Sequence, residues 1–167
     1  AIADTPVFNY YRALDSHYPG AKFIYLAREK TPWVASIRQL LLRMHTNLTR
    51  PDGGFNIHIK RCYLKTFTDL SIDNINQDDY LTKCYNTHLA NAREYFKHRS
   101  NDYLEIDIAK PQSFAQLTAF LDIKSERTDF EKMNIGGKVT AWNDIKHPLK
   151  IDSTAKGRID KHLPYMR

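Results

Sequence analysis

Residues 18–38, which read YPGAKFIYLAREKTPWVASIR, constrain the fold of this chain more than any other stretch. Tyr-Pro-Gly at 18–20 is turn chemistry, because proline fixes φ and glycine tolerates positive φ. Residues 21–27 form a nearly continuous apolar run, typical of a strand covered on both faces. Thr31 and Pro32 then predict the N-cap and first residue of a helix.

The predicted helix carries an apolar stripe, and two polar residues close to its start lie outside that stripe. The stripe consists of Trp33, Ile37, Leu40, Leu41 and Met44. Outside it, Arg28 stands where the strand should end, and Ser36 falls in the first turns of the helix. In open α/β sheets, anionic ligands bind at the carboxyl ends of strands and at helix N-termini. The pattern therefore predicts an anion site containing Arg28 and Ser36.

Charge and size agree with this interpretation without specifying the ligand. The chain has 167 residues, with 25 Lys and Arg against 19 Asp and Glu, a net charge of +6. The excess suits a nucleotide, a sulfated glycan or a nucleic acid. The basic residues are scattered, and the aromatic residues follow the apolar helical stripes, so nucleic acid is the poorest of the three. The length predicts a single domain over residues 1–167.

Other residue patterns make a soluble cytoplasmic protein the default expectation. Cys62 and Cys84 lack C-x-x-C spacing and a histidine cluster, so we expect buried thiols rather than metal ligands. No apolar run approaches the roughly 18 residues of a membrane span, and no signal peptide is recognisable. Neither the acceptor of any reaction nor the oligomeric state is indicated by the sequence.

Helices and strands alternate along the chain. A helix is predicted from residues 4–6 to Pro19, a long helix over about 78–99, a strand over 103–108 and a helix from residue 110. The long helix carries an apolar stripe that consists of Leu81, Cys84, Tyr85, His88, Leu89, Ala92, Tyr95 and Phe96. His88, on this otherwise apolar stripe, is expected to be a satisfied core histidine. Residues 57–70 are ambiguous between a short helix and irregular structure. This order predicts a parallel sheet with right-handed crossovers. Because two strands make a poor parallel sheet, we expect the core of the fold to begin before Ala1.

Residues 18–38 resemble the central motif of the sulfotransferases that use 3′-phosphoadenosine-5′-phosphosulfate (PAPS). In that family a strand ends in Arg, and a Ser lies eight residues later on the following helix, as do Arg28 and Ser36. Residues 4–24, 85–108 and 114–123 are similar, in order, to the bacterial branch of the family. The resemblance implies an α/β, P-loop nucleoside triphosphate hydrolase-like fold. It also implies PAPS as co-substrate, no metal, and sulfuryl transfer to a hydroxyl or amine of a small molecule, lipid or glycan.

The resemblance assigns further roles. Arg28 and Ser36 would bind the 3′-phosphate of the donor. The alternative for Arg28 is a surface ion pair with Glu29 or another carboxylate, and the alternative for Ser36 is a small residue that permits close packing of the helix on the sheet. Lys156, Gly157 and Arg158 resemble a K-G-R loop that closes over the donor phosphates, with residues 137–142 as a weaker competing match. Asp4 lies where the family places a catalytic base. The alternative for Asp4 is an ordinary helix cap before Thr-Pro.

The chain departs from the family at the phosphosulfate loop. No K-x-G-T/S segment occurs, and the glycine pairs at 53–54 and 136–137 lack the Lys and Thr that would hold a 5′-phosphosulfate. We therefore expect an N-terminally truncated sulfotransferase-like domain, whose activity on its own is open. Two alternatives remain: a noncatalytic nucleotide- or anion-binding module, and a P-loop kinase-like phosphotransferase.

Overall fold

The structure, a computed structural model, describes residues 3, 5 and 7–130. Its elements, in chain order, are α1 (Val7–His17), β1 (Phe23–Leu26), α2 (Lys30–Thr49), α3 (Ile57–Thr66), α4 (Ile72–Ile75), α5 (Asp78–Phe96), β2 (Tyr103–Ile106) and α6 (Ser113–Leu121). Backbone contacts group residues 1–129 into one compact unit. Because residues 131–167 lie outside the described residues, a single domain over the whole chain stays a prediction.

The sheet of the described region contains β1 and β2, which are parallel. Phe23 pairs with Tyr103 at one end and Leu26 with Ile106 at the other. The chain between them forms the crossover that parallel strands require, and helices flank the sheet. The prediction of a mixed α/β fold with a parallel sheet is confirmed. The finer assignment to a P-loop-like fold stays a prediction.

The main cluster of buried side chains lies among α2, α3, α4 and α5. Its buried side chains are Val34, Leu41, Leu48, Tyr63, Phe67, Ile75, Leu81 and Cys84. The stripes predicted for α2 and α5 contribute Leu41, Leu81 and Cys84 to this cluster. Apolar periodicity therefore identified the buried faces of the two longest helices.

Several predicted boundaries shift by a few residues, for local reasons. Helix α2 begins at Lys30 with Glu29 at the N-cap, so the prediction of Thr31 at the N-cap was wrong. The carbonyl of Glu29 accepts from the amide of Trp33 at 3.2 Å, which places Pro32 within the first turn. A first-turn residue needs no amide donor, so proline is tolerated at any of these positions.

The ambiguous segment after residue 56 is helical. The side chain of Asn56 accepts from the amide of Ile59 at 3.0 Å and caps α3. Ser71 caps the short helix α4 in the same way through the amide of Asn74. The long predicted helix ends at Phe96 instead of Arg99, because the chain turns there and the amide of Arg99 bonds to the Phe96 carbonyl at 2.8 Å.

An ionic cluster ties α1 to the turn before β2. Arg99 donates to both carboxylate oxygens of Asp15, and its Nε donates to Asp102 at 2.9 Å. The hydroxyl of Tyr95 donates to Asp15 at 2.7 Å. These bonds hold the pKa of Asp15 below its ordinary value, the Arg99 hydrogen bonds contributing most. Asp15 is therefore a charged anchor for the packing of α1 on α5.

Candidate anion-binding site

Arg28 follows the carboxyl end of β1 by two residues, and its main chain is held by a tyrosine from α5. The amide of Arg28 donates to the hydroxyl of Tyr85 at 3.1 Å, and the same hydroxyl donates to the Arg28 carbonyl at 3.1 Å. A phenol can donate and accept at once, so one side chain satisfies both peptide groups. Tyr85 is itself buried, with 6% of its surface exposed, so the backbone at the β1–α2 junction is bonded to a buried side chain.

Aromatic packing keeps Tyr85 in place. The ring of Trp33, in the first turn of α2, lies 4.8 Å from the ring of Tyr85, centroid to centroid. This contact joins α2 to α5 beside the Arg28 peptide. The backbone of Arg28 is therefore positioned by two aromatic side chains that the rest of the fold holds.

His88 lies one turn further along α5 and has partners on both ring nitrogens. Its Nδ1 lies 3.2 Å from the hydroxyl of Tyr25, and its Nε2 lies 2.9 Å from the carbonyl oxygen of Phe8. Burial disfavours the imidazolium form and lowers the pKa of His88, although the bond to the Phe8 carbonyl opposes this. The expectation of a satisfied, structural histidine is confirmed.

The side chain of Arg28 is exposed and forms no ion pair with any described residue. The alternative role for Arg28, a surface ion pair with Glu29 or another carboxylate, is therefore not observed in the part of the chain that the structure describes. By contrast, Arg38 on α2 already has partners, since it pairs with Asp78 and its Nε donates to the Ile75 carbonyl at 3.1 Å. Arg28 is left with its guanidinium in solvent at the end of β1.

Ser36 lies in the second turn of α2 and is also exposed. Its alternative role was a small residue that permits close packing of the helix on the sheet. That role requires burial, so it is wrong. Its hydroxyl forms none of the hydrogen bonds found among the described residues. The structure thus brings Arg28 and Ser36 to the same β1–α2 unit, both with polar groups available to a ligand.

The glycine pair at 53–54 has a structural role in the loop after α2. Gly54 has φ of +73°, and a Cβ there would lie 2.5 Å from the carbonyl oxygen of Asn47. That carbonyl accepts from the amide of Phe55 at 3.2 Å, so the loop folds back on the last turns of α2. This close approach requires glycine at 54, and a φ of +70° favours glycine at 53, so the pair is explained without a phosphate ligand.

Four predicted site residues lie outside the described residues: Asp4, Lys156, Gly157 and Arg158. Their assigned roles stay predictions. Tyr85, in contrast, was missed as a site residue because it was counted only as part of the apolar stripe of α5. The available signal was a phenol at a buried helical position, since a buried hydroxyl requires a hydrogen-bond partner.

Both cysteines are buried, as predicted, and neither forms a disulfide. Burial raises the pKa of the Cys62 thiol to about 11, and it also raises the pKa of Cys84. Neither thiol is activated as a nucleophile or metal ligand.

Within residues 7–130 and the two described residues before them, no group of three or more His, Cys, Asp or Glu side chains is arranged to hold a metal ion. In that same part of the chain no helix has the length and apolar character of a membrane span.

Comparisons with known proteins give one result. No curated protein matches the chain. A family model described as a sulfotransferase domain matches residues 1–139, which include the whole β1–α2 unit with Arg28 and Ser36. The match also covers the helix and strand at 85–108 that resembled the same family at the sequence level. The chain therefore belongs to the sulfotransferase-domain family.

Proposed function

We propose that this chain acts as a PAPS-dependent sulfotransferase and transfers a sulfuryl group to a hydroxyl or amine acceptor. Its family supports sulfuryl transfer in general. The observation that carries the specific proposal is Arg28, whose backbone is fixed by Tyr85 while its guanidinium is exposed and unpaired among the described residues. A guanidinium that is exposed to solvent, on a backbone that is held at the end of a strand, is suited to a phosphate.

The donor phosphate that Arg28 and Ser36 would bind is the 3′-phosphate, which distinguishes PAPS from ordinary adenylates. A guanidinium grips a phosphate bidentately and remains charged at any working pH. The Ser36 hydroxyl adds a second donor from α2. The basic loop of Lys156, Gly157 and Arg158 is proposed to close over the same donor.

In the proposed reaction, an acceptor oxygen or nitrogen forms a bond to sulfur, and the bond from sulfur to the bridging oxygen of the phosphosulfate breaks. The electron pair of that bond leaves with the 5′-phosphate of 3′-phosphoadenosine-5′-phosphate. Asp4 is the proposed base that takes the acceptor proton. The acceptor is a small molecule, lipid or glycan, and protein cations balance the donor charge.

The test is nucleotide discrimination. We expect 3′-phosphoadenosine-5′-phosphate to raise the melting temperature, and 5′-AMP to raise it far less. Arg28→Ala should weaken binding of the first nucleotide by about 2–3 kcal/mol, or roughly 30- to 150-fold, because a charge-assisted bidentate contact is lost. Ser36→Ala should cost about 1 kcal/mol. Arg61→Ala removes an exposed arginine from α3 and is the matched control, with no expected change.

Equal binding of both nucleotides, or unchanged discrimination in Arg28→Ala, would contradict the 3′-phosphate site. Turnover separates the remaining possibilities. Binding of the donor without transfer to any acceptor, in the full natural chain, would identify a noncatalytic anion-binding module. Transfer from ATP instead of PAPS would identify the kinase-like alternative.

A further inference from the structure

The side chain of His88, on α5, contacts two other elements through its two ring nitrogens. Nε2 lies 2.9 Å from the Phe8 carbonyl oxygen on α1, and Nδ1 lies 3.2 Å from the Tyr25 hydroxyl on β1. A carbonyl oxygen only accepts, so Nε2 must carry the hydrogen. In a neutral imidazole the other nitrogen is then an acceptor, and the Tyr25 hydroxyl donates to it. The two contacts therefore specify one neutral tautomer.

Uptake of a proton by His88 would break one of these contacts and keep the other. The Nε2–H group still donates to the Phe8 carbonyl, so the contact with α1 remains. At Nδ1, however, the new N–H and the Tyr25 O–H would point at each other. The Tyr25 hydroxyl would then turn away, and it forms no hydrogen bond with any other described residue. The contact between α5 and β1 is therefore the one that acid weakens.

The described surroundings of His88 supply no unpaired negative charge that would stabilise an imidazolium. The titratable side chains that line the same cavity as His88 are neutral in weakly acidic solution: Tyr11 on α1, Tyr25 on β1, Tyr63 on α3, Cys84 and Tyr85 on α5, and Tyr103 on β2. Glu105 on β2 acts electrostatically on Tyr25, but it is paired with Arg93 at 2.7 Å. Burial lowers the pKa of His88, because the charged ring would lose its hydration.

His88 and Tyr25 both lie in the wall of a largely apolar and aromatic cavity of about 420 Å³. Hydrogen bonds join side chains of α5 to the β1 segment at two places among the described residues. One is the bond between Tyr25 and His88, and the other is the pair of bonds from Tyr85 to the Arg28 peptide. Loss of the first leaves α5 hydrogen-bonded to this segment only beyond the end of the strand. The cavity wall is therefore weakened along β1 itself.

We propose that His88 makes this cavity sensitive to acid. In neutral solution Nδ1 holds the Tyr25 hydroxyl and closes the wall between α5 and β1. When Nδ1 takes up a proton from solvent, Tyr25 is released, water reaches the imidazolium, and the cavity opens on its β1 side. The step is reversible, because only a proton is taken up and only a hydrogen bond is lost.

The direction of the pH dependence follows from the lowered pKa of His88. In weakly acidic solution the unfolded chain binds more protons than the folded protein, because only the unfolded histidine is freely hydrated. Stability is therefore greatest above the unfolded pKa of histidine, about 6.5, and falls as the pH drops toward the lower folded pKa. For one proton, the unfolding equilibrium constant rises by up to about tenfold per pH unit in this window.

Histidine ¹⁵N NMR, denaturant unfolding and binding of the neutral apolar dye Nile red test the proposal on the full natural chain, between pH 8 and pH 5. At neutral pH we expect Nε2 of His88 to carry the proton and Nδ1 to accept. On acidification His88 should titrate with a midpoint below about 6.5. Dye binding should rise with that same midpoint, while the far-UV circular dichroism stays unchanged, because the cavity opens and the helices remain.

Three variants separate His88 from the other titratable groups. His88→Gln keeps a donor for the Phe8 carbonyl but cannot titrate, so it should abolish the rise in dye binding. His58→Gln is the matched control, because His58 is an exposed histidine on α3 whose ring lies 6.5 Å from that of Tyr10 on α1; it should leave the rise unchanged. Tyr25→Phe removes the donor to Nδ1, so it should raise the pKa of His88 and allow dye binding at neutral pH.

Several results would overturn the proposal. One is a proton on Nδ1 of His88 at neutral pH, and another is a titration midpoint at or above about 6.5. A third is dye binding that does not change while His88 titrates, and a fourth is an acid response that His88→Gln retains. If His88→Gln does not fold, Tyr25→Phe decides the question, since an unchanged pKa of His88 in that variant would show that the Tyr25 hydroxyl does not hold the ring in its neutral form.

Discussion

Replacing Tyr85 with phenylalanine tests the two hydrogen bonds that hold the backbone at the β1–α2 junction. The ring and its contact with Trp33 remain, and only the hydroxyl that bridges the amide and carbonyl of Arg28 is lost. Each hydrogen bond contributes about 0.5–1.5 kcal/mol net, so the two together contribute about 2 kcal/mol. For a chain of this size, that loss lowers the melting temperature by about 4–8 °C.

Thermal unfolding and amide exchange together measure the effect. We expect the Arg28 amide to exchange faster in Tyr85→Phe, because its acceptor is gone. Tyr80→Phe is the matched control, since the hydroxyl of Tyr80 donates one bond, to the Thr68 carbonyl at 2.8 Å. This control should lose about 1 kcal/mol and leave the Arg28 amide unchanged. An unchanged exchange rate of the Arg28 amide in Tyr85→Phe would refute the conclusion that the Tyr85 hydroxyl holds the Arg28 peptide.

Two further predictions concern stability. The lowered pKa of Asp15 means that its carboxylate contributes stability that is fully present above the unfolded pKa, about 3.9, and is lost as the pH falls through the folded pKa. The difference in melting temperature between the native chain and Asp15→Asn should therefore shrink as the pH is lowered from 6 to 2, and a constant difference would exclude the ionic contribution. Leu41 is fully buried, so Leu41→Ala should cost about 2–5 kcal/mol in denaturant unfolding, whereas Leu42→Ala, at its 41% exposed neighbour, should cost under about 1 kcal/mol. Similar losses in the two variants would contradict the assignment of the core face of α2.

Local signals explain which parts of the fold were predictable. The strand at β1 and the helix α2 follow from an apolar run, a proline and a repeating stripe, all within residues 18–44. Helix α3 could not be assigned because its segment mixes apolar and basic residues, and it owes its start to a cap by Asn56. The exact start of α2 depended on which carbonyl accepts the first helical bond, which sequence preference does not decide.

The candidate site, too, was predictable only where it depends on neighbouring residues. The spacing of Arg28 and Ser36 was readable, because a strand end and a helix start are local features. The sequence did not show whether Arg28 forms an ion pair, because the carboxylates that could pair with it are distant in sequence. In the structure Arg38 pairs with Asp78, forty residues away, whereas the side chain of Arg28 is exposed to solvent.

The sequence by itself determined the strand–turn–helix unit, the buried faces of α2 and α5, and the family whose motif this unit carries. These depend on period, turn chemistry and spacing, which are properties of neighbouring residues. Only the tertiary structure decided that Tyr85 holds the Arg28 peptide and that His88 is structural. Each of these depends on residues separated by dozens of positions, whose contacts arise from the packing of whole elements and leave no local pattern in the chain.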